Sequence, residues 1–429
     1  MADTTRRTRV LVFPCGTEIG LEIHRALSDS IHVQPVGASS VSSHHGRMLY
    51  AEHHDDLPFH DDPALRDALN RLIAEADIDL LYPAHDDVVY TLSRMEGLDC
   101  PVVGPGPQAA DVCRSKGGTY AQLSGVVPTP RVYCLDESFP LPVFLKPDRG
   151  QGSRGVVIAH SRKQAEAALE RDPSLLLMEY LPGREYTVDC FSDGFGQLRF
   201  AAARQRIRQS SGIATHTRQV ESPQAVVWAK AIHERLGLRG AWFYQLKENA
   251  LGEPVLMEVA GRVSGSSGLF RAQGVNLPLL SVFDALGMPI DILEQELRLE
   301  MDRALINRYA GIPDYREVYI DLDDTVVRGG RLDPWTIAFL AQCRNRGVRV
   351  TLLTRHAGEP RALLEHWGIS GLFDALHHLR REERKSDYVQ EKESIFIDDS
   401  YAERREVHQR RGVPVFGAEA IEALLDWRR

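Results

Sequence analysis

Apolar residues along this chain recur with two periods, and their alternation outlines the first structural region. Val10-Leu-Val-Phe13 is a continuous apolar run of strand length, and after Gly16-Thr-Glu-Ile-Gly20 the positions Ile23 and Leu27 repeat with a helical spacing. Ala64 to Ala76 again carries the helical period, Ile78-Asp-Leu-Leu-Tyr82 returns to a strand, and the chain leaves that strand through Pro83 and His85-Asp-Asp87. Strand and helix in alternation predict a small parallel α/β domain ending near Cys113. The glycines after the first strand read equally as a tight strand-to-helix turn and as a nucleotide contact.

The texture changes from about Arg114 to Arg303, where strands are punctuated by proline, a Gly-rich loop runs from Asp148 to Gly155, and an acidic strand surrounds Glu258. A third region opens near Asp314, after the turn-like Gly311-Ile-Pro313, with the strand Val318-Tyr-Ile320. The expected divisions are therefore residues 1–113, 114–305 and 314–429, consistent with a chain of 429 residues exceeding one ordinary core. No internal repeat or low-complexity tract interrupts them.

Composition narrows the class. A hydrophobic content of 43% with 26% charged residues describes a soluble globular protein. The formal charge of -9 argues against a general nucleic-acid binder, with Arg380, Arg381 and Arg384 read as local anion sites or solvated surface. The six cysteines stand far apart with no C-x-x-C pair, which favours reduced thiols over a disulfide scaffold or a zinc site. There is no apolar leader and no run long enough to span a membrane, so a cytoplasmic location is expected.

The C-terminal third carries the most ordered set of chemical groups. Asp321-Leu-Asp-Asp-Thr325 follows an apolar strand, so its carboxylates emerge where ligands bind in open α/β sheets. One carboxylate suits attack on phosphorus, and the other, two residues on, suits protonation of the leaving oxygen. The strand Val348-Arg-Val-Thr-Leu-Leu-Thr354 ends in a hydroxyl, Lys385 supplies a point charge, and Ser394-Ile-Phe-Ile397 runs into Asp398-Asp399, a pair suited to holding Mg²⁺. In this order the motifs resemble those of the haloacid dehalogenase superfamily, from about residue 316 to the end. The resemblance implies a Rossmann-like phosphohydrolase with Asp321 as nucleophile and Asp323 as general acid/base. It implies phosphate contacts from Thr354 and Lys385, and metal binding by Asp398 and Asp399 with Asp321 and Asp323. An aspartate at 323 points to a phosphatase rather than a dehalogenase. The intervals from Asp321 to Thr354 and from Thr354 to Lys385 leave no room for a cap domain, which predicts an open site.

The central region offers a second set. Val143-Phe-Leu-Lys-Pro147 is a strand bearing Lys146, followed by Gly150-Gln-Gly-Ser-Arg-Gly155, whose backbone N–H groups suit polyphosphate. Leu175 to Asp189 combines an apolar strand, Glu179, a Pro-Gly turn and Glu185. The strands Phe243-Tyr-Gln-Leu-Lys247 and Pro254-Val-Leu-Met-Glu-Val-Ala-Gly-Arg262 predict Gln245 and Glu258 side by side as oxygen ligands, with Arg262 facing an anion. Arg204, Arg206, Arg208 and Arg218 read either as a grip for a carboxylate or as exposed strand residues.

This series resembles the ATP-grasp superfamily, in the manner of the carbamoyl-phosphate synthase large subunit and carboxylate–amine ligases, over roughly residues 1 to 305. The resemblance implies an ATP-grasp fold behind a small parallel α/β domain. It places Lys116 and Lys146 on the ATP phosphates under the loop containing Gly152, Ser153 and Gly155. Glu179, Tyr180 and Leu181 become the hinge beside adenine, and Glu185 a partner of the ribose or that hinge. Gln245 and Glu258 are the implied ligands of Mg²⁺, or of Mn²⁺ in its place, and Arg262 a catalytic cation. The family commonly reads E-x-N-P-R where this chain has Glu258-Val-Ala-Gly-Arg262, so Ala260 removes a side-chain ligand. The expectation is a bifunctional enzyme of α/β and α+β domains: an ADP-forming ligase of small-molecule carboxylates and amines, fused to a capless phosphatase acting on a phosphorylated metabolite. No nucleic-acid or membrane partner is expected, and homo-oligomers are compatible. The alternatives are a ligase with a docking or regulatory C-terminal domain, and a non-catalytic ATP sensor.

Overall fold

The computed structural model describes residues 6–150, 152 and 155–428. It is a mixed α/β structure in two compact units, one running to Leu305 and the other from Ile306 to Arg428. Of the expected nucleotide contacts, Ser153 lies outside the described residues. No helix among the described residues is long and apolar enough to cross a membrane.

The first unit begins with strands β1 (Thr8–Phe13), β2 (Val33–Ala38), β3 (His53–His54) and β4 (Leu80–Pro83), paired in parallel in the order β3-β2-β1-β4. The apolar run of β1 is continuous because both its faces are covered. Val10 and Val12 pack with Ile23 and Leu27 of the helix Glu18–Leu27, whereas Leu11 and Phe13 pack with Leu65, Leu69, Leu72 and Ile73 of the helix Leu65–Glu75. Gly16, ahead of that helix, and Gly20, in its first turn, are present for space, since neither has positive φ. A Cβ on Gly16 would stand 2.5 Å from that of His44, and one on Gly20 would stand 2.6 Å from the Pro14 carbonyl oxygen.

Two antiparallel sheets follow. Strands β5 (Val143–Pro147), β6 (Val157–Ala159) and β7 (Leu175–Glu179) form a small sheet in the order β6-β5-β7, backed by the helix Arg162–Arg171. Strands β8 (Glu185–Ser192), β9 (Leu198–Ser210), β10 (Ile213–Val220), β11 (Gly240–Glu248), β12 (Pro254–Ala260) and β13 (Glu300–Asp302) form a larger one in the order β12-β11-β8-β9-β10-β13. Trp242, Tyr244 and Val188 of this sheet bury against Ala225, Ala229 and Ile232 of the helix Pro223–Leu236. Phe191, Phe200 and Ala241 share a core with Val10 and Val12, so the parallel sheet and the six-stranded sheet are welded by one apolar cluster.

The second unit is a five-stranded parallel sheet with a small hairpin. Its strands are β14 (Glu317–Ile320), the hairpin β15 (Val327–Arg328) and β16 (Arg331–Leu332), then β17 (Arg349–Thr354), β18 (Ala375–His378), β19 (Ser394–Ile397) and β20 (Val415–Phe416). The sheet order is β18-β17-β14-β19-β20. The chain builds outward on one side of β14 and then restarts on the other, which puts the topological switch between β14 and β19. Between Asp321 and Thr354 lie only the hairpin and the helix Pro334–Asn345; the helix Pro360–His366 and β18 lie between Thr354 and Lys385.

Candidate functional sites

In the first unit the small sheet and the six-stranded sheet enclose a cavity of about 300 Å³. Phe144, Ile158, Met178, Leu181 and Met257 supply apolar lining, and Glu179 and Tyr180 line it as well. Much of the remaining lining is charged or polar. Lys116, Lys146, Glu185, Gln245, Glu258 and Gly152 all line this cavity, so residues far apart in sequence meet on one surface. The described part of the Gly-rich loop has Gly152 and Gly155 at φ +64° and +70°, a backbone that a Cβ disfavours.

Local structure explains how the lysines are presented. Ser115 caps the helix Lys116–Leu123, accepting from Gly118 N, and its hydroxyl donates to Asp148 Oδ1 at 3.0 Å. Asp148 Oδ1 also accepts from Gly117 N at 2.8 Å, which ties the start of the Gly-rich loop to this helix terminus. Lys116 Nζ donates to the carbonyls of Asp148 (3.2 Å) and Gly150 (3.0 Å). Lys146 Nζ donates to Met257 O at 3.1 Å and stands over the Tyr120 ring. Burial pushes Lys146 down to about 8, against the pull of Glu258, and lowers Lys116 as well. Two ammonium groups held partly dehydrated are primed for a polyanion, which would restore their charge balance.

Antiparallel pairing sets Gln245 directly opposite Glu258. Gln245 Oε1 accepts from Arg206 Nη1 at 2.6 Å, so one lone pair of the expected metal ligand is occupied by a guanidinium. Glu185 is fixed by Lys247 (2.7 Å) and Gln209 (2.6 Å); although burial works to raise it, these partners hold its carboxyl below the usual range. An oxygen donor set of Glu258 with phosphate oxygens and water fits Mg²⁺, which keeps much of its hydration and takes few protein carboxylates. Ala260 lines the neighbouring space and offers no ligand.

That neighbouring space is a second cavity of about 720 Å³ sharing Lys116, Arg206, Gln245, Glu258 and Gly152 with the first. Its far wall comes from the parallel-sheet region: Thr17 and Glu18 stand where β1 leads into its helix, and His85 and Asp86 follow β4. The order of that sheet reverses between β1 and β4, so these residues occupy its switch-point crevice. Arg262, expected to meet an anion, is clamped by Asp86 through two 2.7 Å contacts. Burial opposes both charges, yet the pairing lowers Asp86 and raises Arg262. Thr17, Glu18, His85, Asp86 and Arg114 were not among the expected site residues; for the first four the signal was their place beyond β1 and β4, masked for Thr17 and Glu18 by their role in starting a helix, whereas Arg114 ends the helix Pro107–Arg114 and carried no such signal.

The four arginines of β9 and β10 separate. Arg204 is fully buried, with Nε on Asp189 at 2.7 Å and Nη2 on Ser264 at 2.9 Å, and it contributes to the wall of the larger cavity from within that network. Arg206 is buried at the junction of the cavities, and its Nε finds no hydrogen-bond partner among the described residues. Arg208 is exposed and pairs with Asp302, and Arg218 lies 3.9 Å from Glu300.

In the second unit the groups at the ends of β14 and β19 converge. Ligand oxygens of Asp321, Asp398 and Asp399 lie within 4.8 Å of one another, a carboxylate cluster whose chemistry fits Mg²⁺. Lys385 Nζ donates to Asp321 Oδ1 at 2.5 Å and Asp398 Oδ2 at 2.7 Å. Burial raises both aspartates, and Lys385 opposes that rise. Thr354 is wholly buried at the end of β17, and its Oγ1 accepts from His356 N at 3.0 Å. Asp323 is half exposed and is touched by His356, a residue the sequence reading passed over. Arg380, Arg381 and Arg384 are solvated.

Two opposed antiparallel sheets gripping a nucleotide-sized cavity define an ATP-grasp domain, and the first unit contains one. Residues 171–305 match a family model described as ATP-grasp in the biosynthetic pathway with Ter operon. Similar solved structures include biotin carboxylase from Campylobacter jejuni, at 14% identity and TM-score 0.55 over 67% of this chain and 72% of that one. An L-amino acid ligase from Bacillus licheniformis matches at 19% identity and TM-score 0.53, covering 66% of this chain and 75% of the ligase. The ADP complex of purK, N5-carboxyaminoimidazole ribonucleotide synthetase, matches at 14% identity and TM-score 0.56 over 70% and 82% of the two chains. At these identities the likeness is one of fold. No curated protein matches the chain in sequence.

Proposed function

We propose that the chain is a bifunctional enzyme: an ATP-dependent, ADP-forming ligase in the first unit and a magnesium-dependent phosphohydrolase of the haloacid dehalogenase type, without a cap, in the second. The observation that carries the ligase reading is the wall shared by the two cavities, where Lys116, Arg206, Gln245 and Glu258 face both. ATP lies in the smaller cavity, its base in the apolar slot beside Glu179–Leu181, its ribose near Glu185 and its phosphates on Lys116 and Lys146. Glu258 would hold magnesium, which would supply charge neutralisation at the phosphates. A substrate carboxylate in the larger cavity attacks the γ-phosphorus; the bond to the bridging oxygen breaks, ADP leaves, and an acyl phosphate remains. An amine or other nucleophile then attacks the acyl carbon, phosphate departs with the C–O electron pair, and the nucleophile's proton is released. Arg206, whose Nε at the junction has no hydrogen-bond partner among the described residues, is the cation best placed to balance the developing charge.

A panel of carboxylic acids and amines assayed for ADP release with Mg²⁺ tests this reading. Glu258→Gln is expected to lower ADP release at least about 100-fold, in line with losing a group that stabilises transferring charge. Nucleotide binding without ADP release for any acid would instead favour the ATP-sensor alternative, for which the missing ligand at Ala260 is the motivating feature.

For the second unit, the support is the convergence of Asp321, Asp398 and Lys385 at a switch point. An Asp321 oxygen attacks the phosphorus of an ester, the ester P–O bond breaks, and the leaving oxygen takes a proton from Asp323. Water then attacks the phosphorus, the P–O bond to Asp321 breaks, and Asp323 recovers a proton. With one hairpin and one helix between Asp321 and Thr354, the site is open to a bulky phosphorylated metabolite.

A further inference from the structure

Asp323 presents a half-exposed carboxylate, and a general acid so placed must be held at one orientation to reach a leaving oxygen. Its loop backbone is fixed: Asp324 takes φ +54°, and its N–H donates to Val327 O at 2.7 Å. The side chain is fixed by a different element. His356 Nδ1 lies 2.9 Å from Asp323 Oδ1 and 3.1 Å from Oδ2. A carboxylate only accepts, so the shared hydrogen belongs to Nδ1.

His356 is itself braced on both sides. Its backbone N–H donates to Thr354 Oγ1, and its carbonyl accepts from His378 Nε2 at 2.8 Å. The preceding Arg355 is anchored by Glu403 and by the Glu383 carbonyl, each at 2.7 Å. The imidazole therefore stands on a rigid turn at the end of β17 and reaches across to the acid at the end of β14.

We propose that His356 is a positioning residue of the phosphohydrolase site: it orients Asp323 so that one carboxyl oxygen bonds the imidazole and the other delivers the proton to the leaving group. The idea rests on the phosphohydrolase reading and adds to it a residue that acts through Asp323. Positioning of the acid matters in proportion to how much the leaving group needs protonation. The imidazole thus counts for an alkyl phosphate, whose alkoxide leaves poorly, and little for p-nitrophenyl phosphate, whose phenolate leaves unaided.

The test uses the full chain with Mg²⁺ and both esters, glycerol phosphate and p-nitrophenyl phosphate. His356→Ala is expected to lower kcat for glycerol phosphate on the order of tenfold to 100-fold, part of what a general acid supplies, with KM nearly unchanged. Turnover of p-nitrophenyl phosphate should stay within about threefold of wild type, which also reports that the variant is folded. His356→Asn, whose amide nitrogen sits close to the place of Nδ1, should recover most of the glycerol phosphate rate. Equal losses on both esters, or no loss on glycerol phosphate, would overturn the positioning role. If the wild-type chain cleaves neither ester, and Asp321→Asn behaves identically, the phosphohydrolase reading falls and this proposal falls with it.

Discussion

Arg204 and Arg206 stand two residues apart on β9 and so share a face of the sheet, yet their neighbours divide their roles. Arg204 and Asp189 are each about 1% exposed and complete their hydrogen bonding with Ser264, a closed network that holds β8, β9 and the segment after β12 together. Removing the guanidinium leaves a carboxylate buried without its countercharge. Arg204→Ala should therefore destabilise the first unit by about 3–5 kcal/mol in denaturant unfolding, and a paired Arg204→Met, Asp189→Leu change should recover most of that loss. Lys146 makes a different kind of prediction. With its ammonium pushed down to about 8, the Lys146 charge is present at pH 7 and largely gone at pH 9. ATP affinity measured by calorimetry should fall across that interval, and Lys146→Arg should flatten the profile. Folding stability has the opposite sign: between about 8 and the ordinary lysine value of 10.5 the unfolded chain keeps the proton longer, so stability rises with pH there.

At the scale of elements, strands were legible wherever a buried run was continuous, as in β1, β14, β17 and β19, because hydrophobic burial is written in consecutive residues. Long-range pairing was not. The clamp of Arg262 by Asp86 joins β12's end to the loop after β4, and no local pattern in either segment announces it. The glycines after β1 show the limit from the other side. Their presence was legible, but as the mark of a turn or a nucleotide contact, whereas Gly16 makes room for His44, whose ring lies between Cys15 (3.8 Å) and Asp55 (2.7 Å). Gly16→Ala should cost about 1–3 kcal/mol through overpacking, read as a lower unfolding midpoint, even though its backbone angles suit alanine. The site residues of the second unit were legible for a physical reason too: strand ends at a switch point converge by topology, so three short motifs in order were enough to bring Asp321, Lys385 and Asp398 together. His356 stayed hidden because a histidine two residues past a strand end has no pattern of its own.

At the scale of the whole molecule, the two sites are expected to be chemically separable. Asp321→Asn should abolish phosphate-ester turnover while leaving ADP release with the active acid within about twofold of wild type, since the nucleophile of one unit has no part in the phosphoryl transfer of the other. The central claim is that the first unit activates a carboxylate as an acyl phosphate, and this leaves an isotopic trace. With the Asp321→Asn chain, ATP, Mg²⁺, a nucleophile and the acid that best stimulates ADP release, ¹⁸O placed in the carboxylate should appear as one labelled oxygen in the inorganic phosphate. Unlabelled phosphate, or AMP and pyrophosphate in place of ADP, would contradict the account.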